Sequence, residues 1–124
     1  MRVSTNPTAR ILVKSPEDVW TFTQRNVSLW DILEFFPPDC IGPRGPSDAP
    51  RPYEVKPITL ETDREFSFDT DIQYGTWMFR PRSPKLPGMM KWCQESGLEP
   101  GDAIVFERLQ ERRFALRLEK GAAG

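Results

Sequence analysis

Two short stretches carry residue types able to do hydrolytic chemistry. They are Pro38-Asp39 and, further along, Glu54-Val55-Lys56. Paired carboxylates of this kind can share a Mg²⁺ ion, and a lysine beside them can help activate its bound water. That chemistry needs both stretches on rigid, adjoining strands. Here Asp39 follows two prolines, and Glu54-Val55-Lys56 sits between Pro52 and Pro57. The pattern is short and arises readily by chance, so the expectation is a chain with no catalytic residue, no metal and no cofactor. The chain has no histidine, which excludes Ser-His and Cys-His nucleophile pairs and every histidine metal site. Its two cysteines, Cys40 and Cys93, are too few for a structural zinc site and are expected as reduced thiols.

A second chemistry is written in the charge distribution. From Ile72 to Gln94 there is no acid, while Arg80, Arg82, Lys85 and Lys91 are present. Just before this window Glu61, Asp63, Glu65, Asp69 and Asp71 outweigh Arg64. A net charge of only -1 and a pI of about 5.5 can therefore conceal a positive face. The bland reading of Arg80, Arg82 and Lys85 is a solvated loop; the sharper one is a phosphate-binding segment.

The elements that must position these residues are mostly short strands. The 124 residues, 38% of them hydrophobic and 28% charged, suit one soluble domain with a single core. No apolar run approaches a membrane span, and "MRVSTNPTAR" lacks the apolar core of a signal peptide. The expected location is the bacterial cytoplasm, in association with the nucleoid, or the nucleus if the source is eukaryotic. Residues 1–9 and 120–124 read as tails around a domain spanning 10–119. "RILVK" reads as a strand, Ser15 to Val27 as a mixed segment beginning in a turn, and "SLWDILEFF" as a short helix stopped by Pro37 and Pro38. Cys40 to Pro57, with five prolines among its residues, reads as a long connection with an edge segment at Tyr53 to Lys56. Ile58 to Ile72 reads as a hairpin turning at Thr62-Asp63-Arg64, and "GTWMFRPR" as a strand with Trp77 and Phe79 on one face. "GMMKWCQESG" reads as a helix burying Met89, Trp92 and Cys93 and ending at Gly97. "AIVFERL" and "RFALRLE" form the last strand pair. Such strands usually close on themselves to remove exposed edges. The fold class is therefore mainly β: an open seven-stranded pseudobarrel with two short helices at the barrel ends.

The second half of the chain resembles a known family. Gly75-Thr76-Trp77, Trp92, the Leu98-Glu99-Pro100-Gly101-Asp102 corner, Val105-Phe106-Glu107 and Phe114 to Leu118 are similar to the B-three-like DNA-binding pseudobarrels. These include plant transcription-factor domains and the effector domains of bacterial restriction enzymes. "ILEFFPPD" and "FSFDTDI" extend the resemblance upstream. It implies two arms that grip the major groove of duplex DNA. The N-arm would be Thr21 to Asn26, with Gln24, Arg25 and Asn26 reading base edges. This segment lacks the family's histidine and carries the bulky Phe22. The C-arm would present Thr76, Trp77, Arg80, Arg82 and Lys85. On ordinary burial trends Trp77 and Trp92 read as core, and Asp102 as a residue that ties its turn.

The leading expectation is thus a non-catalytic, sequence-specific double-stranded DNA-binding module of the restriction-modification type, with a nuclease domain or partner protein as a further candidate partner. The alternative is a pseudobarrel that has lost DNA binding and serves as a protein-interaction or regulatory domain. The third reading is the Mg-dependent nuclease.

Overall fold

The structure, a computed structural model, describes residues 7–45, 48–80 and 87–121. Among these residues the strands are β1 (Thr8–Leu12), β2 (Ile41–Gly42), β3 (Ile58–Thr62), β4 (Ser67–Thr70), β5 (Ile72–Gln73), β6 (Met78–Phe79), β7 (Ala103–Gln110) and β8 (Arg113–Glu119). Two α-helices, α1 (Pro16–Gln24) and α2 (Gly88–Ser96), and two 3-10 segments, Trp30–Phe35 and Pro38–Cys40, complete the order. The fold is mainly β, with eight described strands rather than the seven expected. They form a five-stranded sheet in the order β1-β7-β8-β3-β4 and a three-stranded sheet in the order β2-β5-β6, with no closed barrel. Neighbours in the larger sheet are antiparallel except β3 and β8, which run parallel.

Period-two alternation decides which face of the larger sheet is buried. Ile104, Phe106, Phe114, Leu116, Ile58 and Leu60 point to one side and are almost wholly excluded from solvent. The opposite side buries Ala103 and Val105 and also carries polar pairs across strands: Arg10 meets Glu119 at 2.6 Å, Arg113 meets Glu61 at 2.6 Å, and Thr59 donates to Asp69 at 2.6 Å. The 3-10 segment, α2 and the smaller sheet cover the apolar face, contributing Leu33, Phe35, Phe36, Met89, Trp92, Ile41, Ile72 and Phe79. Phe36 is the junction. Its ring lies 5.2–5.6 Å from those of Phe35, Phe79, Phe106 and Phe114, mostly edge to face, the arrangement aromatic quadrupoles prefer. Cys40 and Cys93 are buried free thiols, both pushed up to about 12 by burial.

Several local readings need correction. Ser15 to Val27 is not mixed: it holds α1. Ser15 accepts a hydrogen bond from the Asp18 N–H at 3.3 Å, Pro16 opens the first turn, and Glu17 and Asp18 suit the positive end of the helix dipole. No residue of α1 is fully buried, so its apolar stripe is faint. The segment after Ser28 is a 3-10 helix kinked at Ile32 rather than an α-helix. The "GTWMFRPR" strand is much shorter than expected, because Tyr74 to Trp77 is a turn and only Met78–Phe79 pair. Ile41–Gly42, inside the expected connection, pairs parallel with β5. The α2 helix, its buried Met89, Trp92 and Cys93, and the left-handed Gly97 (φ 66°) match expectation.

The Gly97 to Asp102 corner is scaffold. The Asp102 side chain is 2% exposed as a residue. It accepts from the Glu99 and Gly121 N–H groups at 2.9 Å each and from the Lys120 ammonium at 2.8 Å. The corner also anchors the end of β1: Val13 N–H donates to Asp102 O, and Gly101 N–H to Val13 O. Burial alone would raise the Asp102 pKa, but the hydrogen bonds from Lys120, Gly121 and Glu99 outweigh it and hold the carboxyl below its usual value. Replacing Asp102 by Ala should cost about 2 kcal/mol, since two main-chain donors lose their acceptor. A depressed folded pKa contributes stability that is present above the unfolded value and lost as pH falls through the folded one. Urea titrations of wild type and Asp102→Asn should therefore differ at neutral pH and converge as pH falls below the ordinary carboxylate range.

Candidate functional site

The two segments expected to act as arms meet in space. Arg25 N–H closes α1 on Thr21 O at 2.8 Å, and the chain then passes beside the β5-β6 turn. Leu29 N–H donates to Trp77 O at 2.7 Å. The buried Asn26 side chain donates to Phe79 O at 3.4 Å and accepts from Val27 N–H at 2.8 Å. Residues separated by some fifty positions are thus stitched into one edge of the molecule.

The stitching decides which candidates face outward. Gln24, Arg25 and Thr76 are exposed. Arg25 also lies over the ring of Trp20, 5.6 Å from its centroid, and Thr76 donates to Gln73 at 3.4 Å. Asn26 serves the junction itself. Arg80 is turned inward: its Nε lies 3.1 Å from both oxygens of Asp71, its Nη2 donates to Pro43 O, and its own carbonyl accepts from Thr70 Oγ1 at 2.9 Å. Asp71 is 3% exposed. Arg82 and Lys85 lie outside the described residues.

Trp77 is half-buried and packs against the core. Its φ of 56° is left-handed, a region costly for a residue with a Cβ. The turn is held by Trp77 N–H to Gln73 O at 2.9 Å and by Leu29. Around it gathers an aromatic group that the sequence reading missed. Trp30, 60% exposed, lies 5.3 Å from Trp77 with the rings tilted by 48°, and Tyr74 meets Trp77 edge-on at 4.8 Å. The Arg51 guanidinium lies 4.5 Å from the Tyr74 ring centroid. The available signal was Trp30 itself, which falls off the stripe of Leu29, Leu33 and Phe36. A cleft of about 900 Å³ opens between β1 and the Trp30–Phe35 segment, with Trp77 at its border.

The remaining motif is brought together but occupied. Lys56 N–H donates to Asp39 O at 2.9 Å, so the Glu54-Val55-Lys56 stretch does adjoin Asp39. The Asp39 carboxylate, however, accepts from Arg112 Nη2 at 2.6 Å, and that hydrogen bond holds its pKa below the usual range. Among the described residues no group of three Cys, Asp or Glu side chains is placed to hold a metal. Nor is any described helix long and apolar enough to cross a membrane.

No family model, no curated protein and no solved structure matches this chain.

The inward Arg80 carries a structural prediction. Arg80→Ala removes the guanidinium whose Nε is shared by both oxygens of a buried carboxylate and should destabilise the protein by about 3 kcal/mol, read as a drop in the urea midpoint. Arg80→Lys keeps the charge but loses the fork, and should fall between.

Proposed function

We propose that the chain is a non-catalytic module that binds double-stranded DNA, with a pseudobarrel-type scaffold presenting two adjoining arms to the major groove. The observation that carries this reading is the meeting of the Gln24 to Leu29 and Thr76 to Arg80 segments, fixed by the Leu29–Trp77 and Asn26–Phe79 hydrogen bonds. It puts the outward Gln24, Arg25 and Thr76 at one edge, next to the sequence window that is basic and free of acids. Arg25, Arg82 and Lys85 would hold phosphates and set the register, and Gln24 would be free to contact a base edge. Asn26, Trp77 and Arg80 would act indirectly, by building the edge on which the arms stand.

A second reading, a pseudobarrel that serves as a protein-interaction or regulatory domain, is favoured by one specific observation. Two polar candidates, Asn26 and Arg80, are spent on internal bonds, and the aromatic cleft is bordered by Asp31 and Glu34 rather than by free cations.

Fluorescence-anisotropy titration with random-sequence duplex DNA at low salt separates the two. Binding is expected, weakening steeply with salt. Changing Arg25, Arg82 and Lys85 together to Ala should reduce affinity at least about tenfold and lower the salt slope by about two to three, with circular dichroism checking that the variant is folded. Absence of binding by folded protein at low salt refutes the DNA reading and leaves the interaction module.

A further inference from the structure

The larger sheet ends at β1, and among the described residues no strand pairs with its outer edge. In an antiparallel pair, alternate residues turn their main-chain groups toward the partner and the others away. Arg108 N–H donates to Pro7 O at 2.8 Å and Val13 N–H to Asp102 O at 2.9 Å, which puts the odd-numbered residues of β1 in phase with β7. The N–H and C=O groups of Thr8, Arg10 and Leu12 therefore point away from the sheet. Among the described residues none takes a hydrogen bond from them or gives one to them. Thr8 and Arg10 line the cleft of about 900 Å³, whose opposite wall is the Trp30–Phe35 segment. An unpaired row of main-chain donors and acceptors beside a cavity is a template for one more strand.

The wall opposite that row states the chemistry of the added strand. Trp30 is 60% exposed and braced by Trp77. An indole held in that way offers its face to a cation. Asp31 and Glu34 stand on the same wall, both exposed and forming no ion pair among the described residues. Among the described residues that line the cleft, the cation is Arg10, and it is paired with Glu119 at 2.6 Å. The cleft is therefore acidic and aromatic, complementary to a Lys or Arg side chain and repellent to phosphate.

We propose that this cleft docks an extended peptide segment of a partner protein, which adds as a strand to the free edge of β1 and seats a lysine or arginine between Trp30 and the carboxylates of Asp31 and Glu34. Main-chain bonds to Thr8 and Arg10 supply affinity, and the cationic side chain supplies selectivity. The inference does not rest on the DNA reading, because the cleft is walled by acids and uses neither Arg25 nor the acid-free window.

The test is a titration of the intact chain with a fluorescein-labelled short peptide of alternating Thr and Val carrying one central Lys. Saturable binding is expected. Replacing the Lys by Gln, or substituting the protein with Trp30→Ala or with Asp31→Asn and Glu34→Gln together, should each weaken it about tenfold. Alternate N-methylation of the peptide backbone should abolish it. Circular dichroism and the urea midpoint check that the variants remain folded; these side chains are exposed, so little change is expected. No saturable binding, or binding insensitive to the Lys and to Trp30, overturns the proposal. So does sedimentation showing a dimer that Trp30→Ala dissociates, which would assign the edge to a second copy of this chain. Displacement of the peptide by duplex DNA would assign the cleft to a nucleic-acid surface, and equally overturns it.

Discussion

The Asp71–Arg80 pair fixes what the rest of the molecule can do. A carboxylate 3% exposed is tolerated only if charge and hydrogen bonds compensate its desolvation. Arg80 does this with Nε between the two oxygens, and at the same time binds Pro43 O. Arg80 N–H also donates to Asp71 O at 2.8 Å. One guanidinium thus ties β5, β6 and the residue after β2, which otherwise pair over only two residues each. Two-residue strands have almost no ladder of their own, so the ion pair substitutes for length. Gly42 follows from the same constraint, because a Cβ there would collide with the Asp71 carboxylate and the Arg80 guanidinium.

With the small sheet fixed, the Phe36 ring can bridge it to the large one. Phe36 touches Phe79 on one side and Phe106 and Phe114 on the other. Because Phe36 closes the 3-10 segment, the same ring sets how that segment lies against β1 and how far Trp30 stands from the edge strand. The cleft is therefore a by-product of core packing. Its width depends on residues that never touch its contents, which is how rigid scaffolds hold adaptable surfaces.

Legibility in the sequence followed the length and regularity of each element. The β7-β8 pair and α2 were readable because they run for eight, seven and nine residues and are punctuated by Gly97 and Asp102, which leaves few alternatives. Helix α1 was missed because its signal is all in the cap, Ser15-Pro16-Glu17-Asp18, with no buried residue to mark a stripe. The two-residue strands were beyond any pattern rule, since an alternation needs several residues to exist. At the candidate site the basic types in the window were legible, but their direction was not. Arg80 turns inward because Asp71, nine residues earlier, is buried opposite it, and nothing in local composition marks Asp71 off from its exposed neighbour Asp69. The Trp30–Trp77–Tyr74 group is a tertiary meeting of three separate positions and has no linear signature.

The ion pairs among the described residues narrow where a polyanion could sit. Much of the cationic charge is cancelled in place. Arg10 and Arg113 are matched by Glu119 and Glu61 on the outer sheet face, Arg51 by Asp48, Arg112 by Asp39 and Lys120 by Asp102. Such pairs contribute little to stability when exposed, but they flatten the field that would steer DNA to the sheet. A phosphate backbone thus gains little from the broad face and must be met by cations that lack an internal partner. The edge built from the end of α1 and the β5-β6 turn joins Arg25 to the acid-free stretch from Ile72 to Gln94. The cleft beside β1 has the opposite sign. A chain with a net charge of -1 can therefore present two surfaces of different chemistry, because part of its charge is cancelled in local pairs.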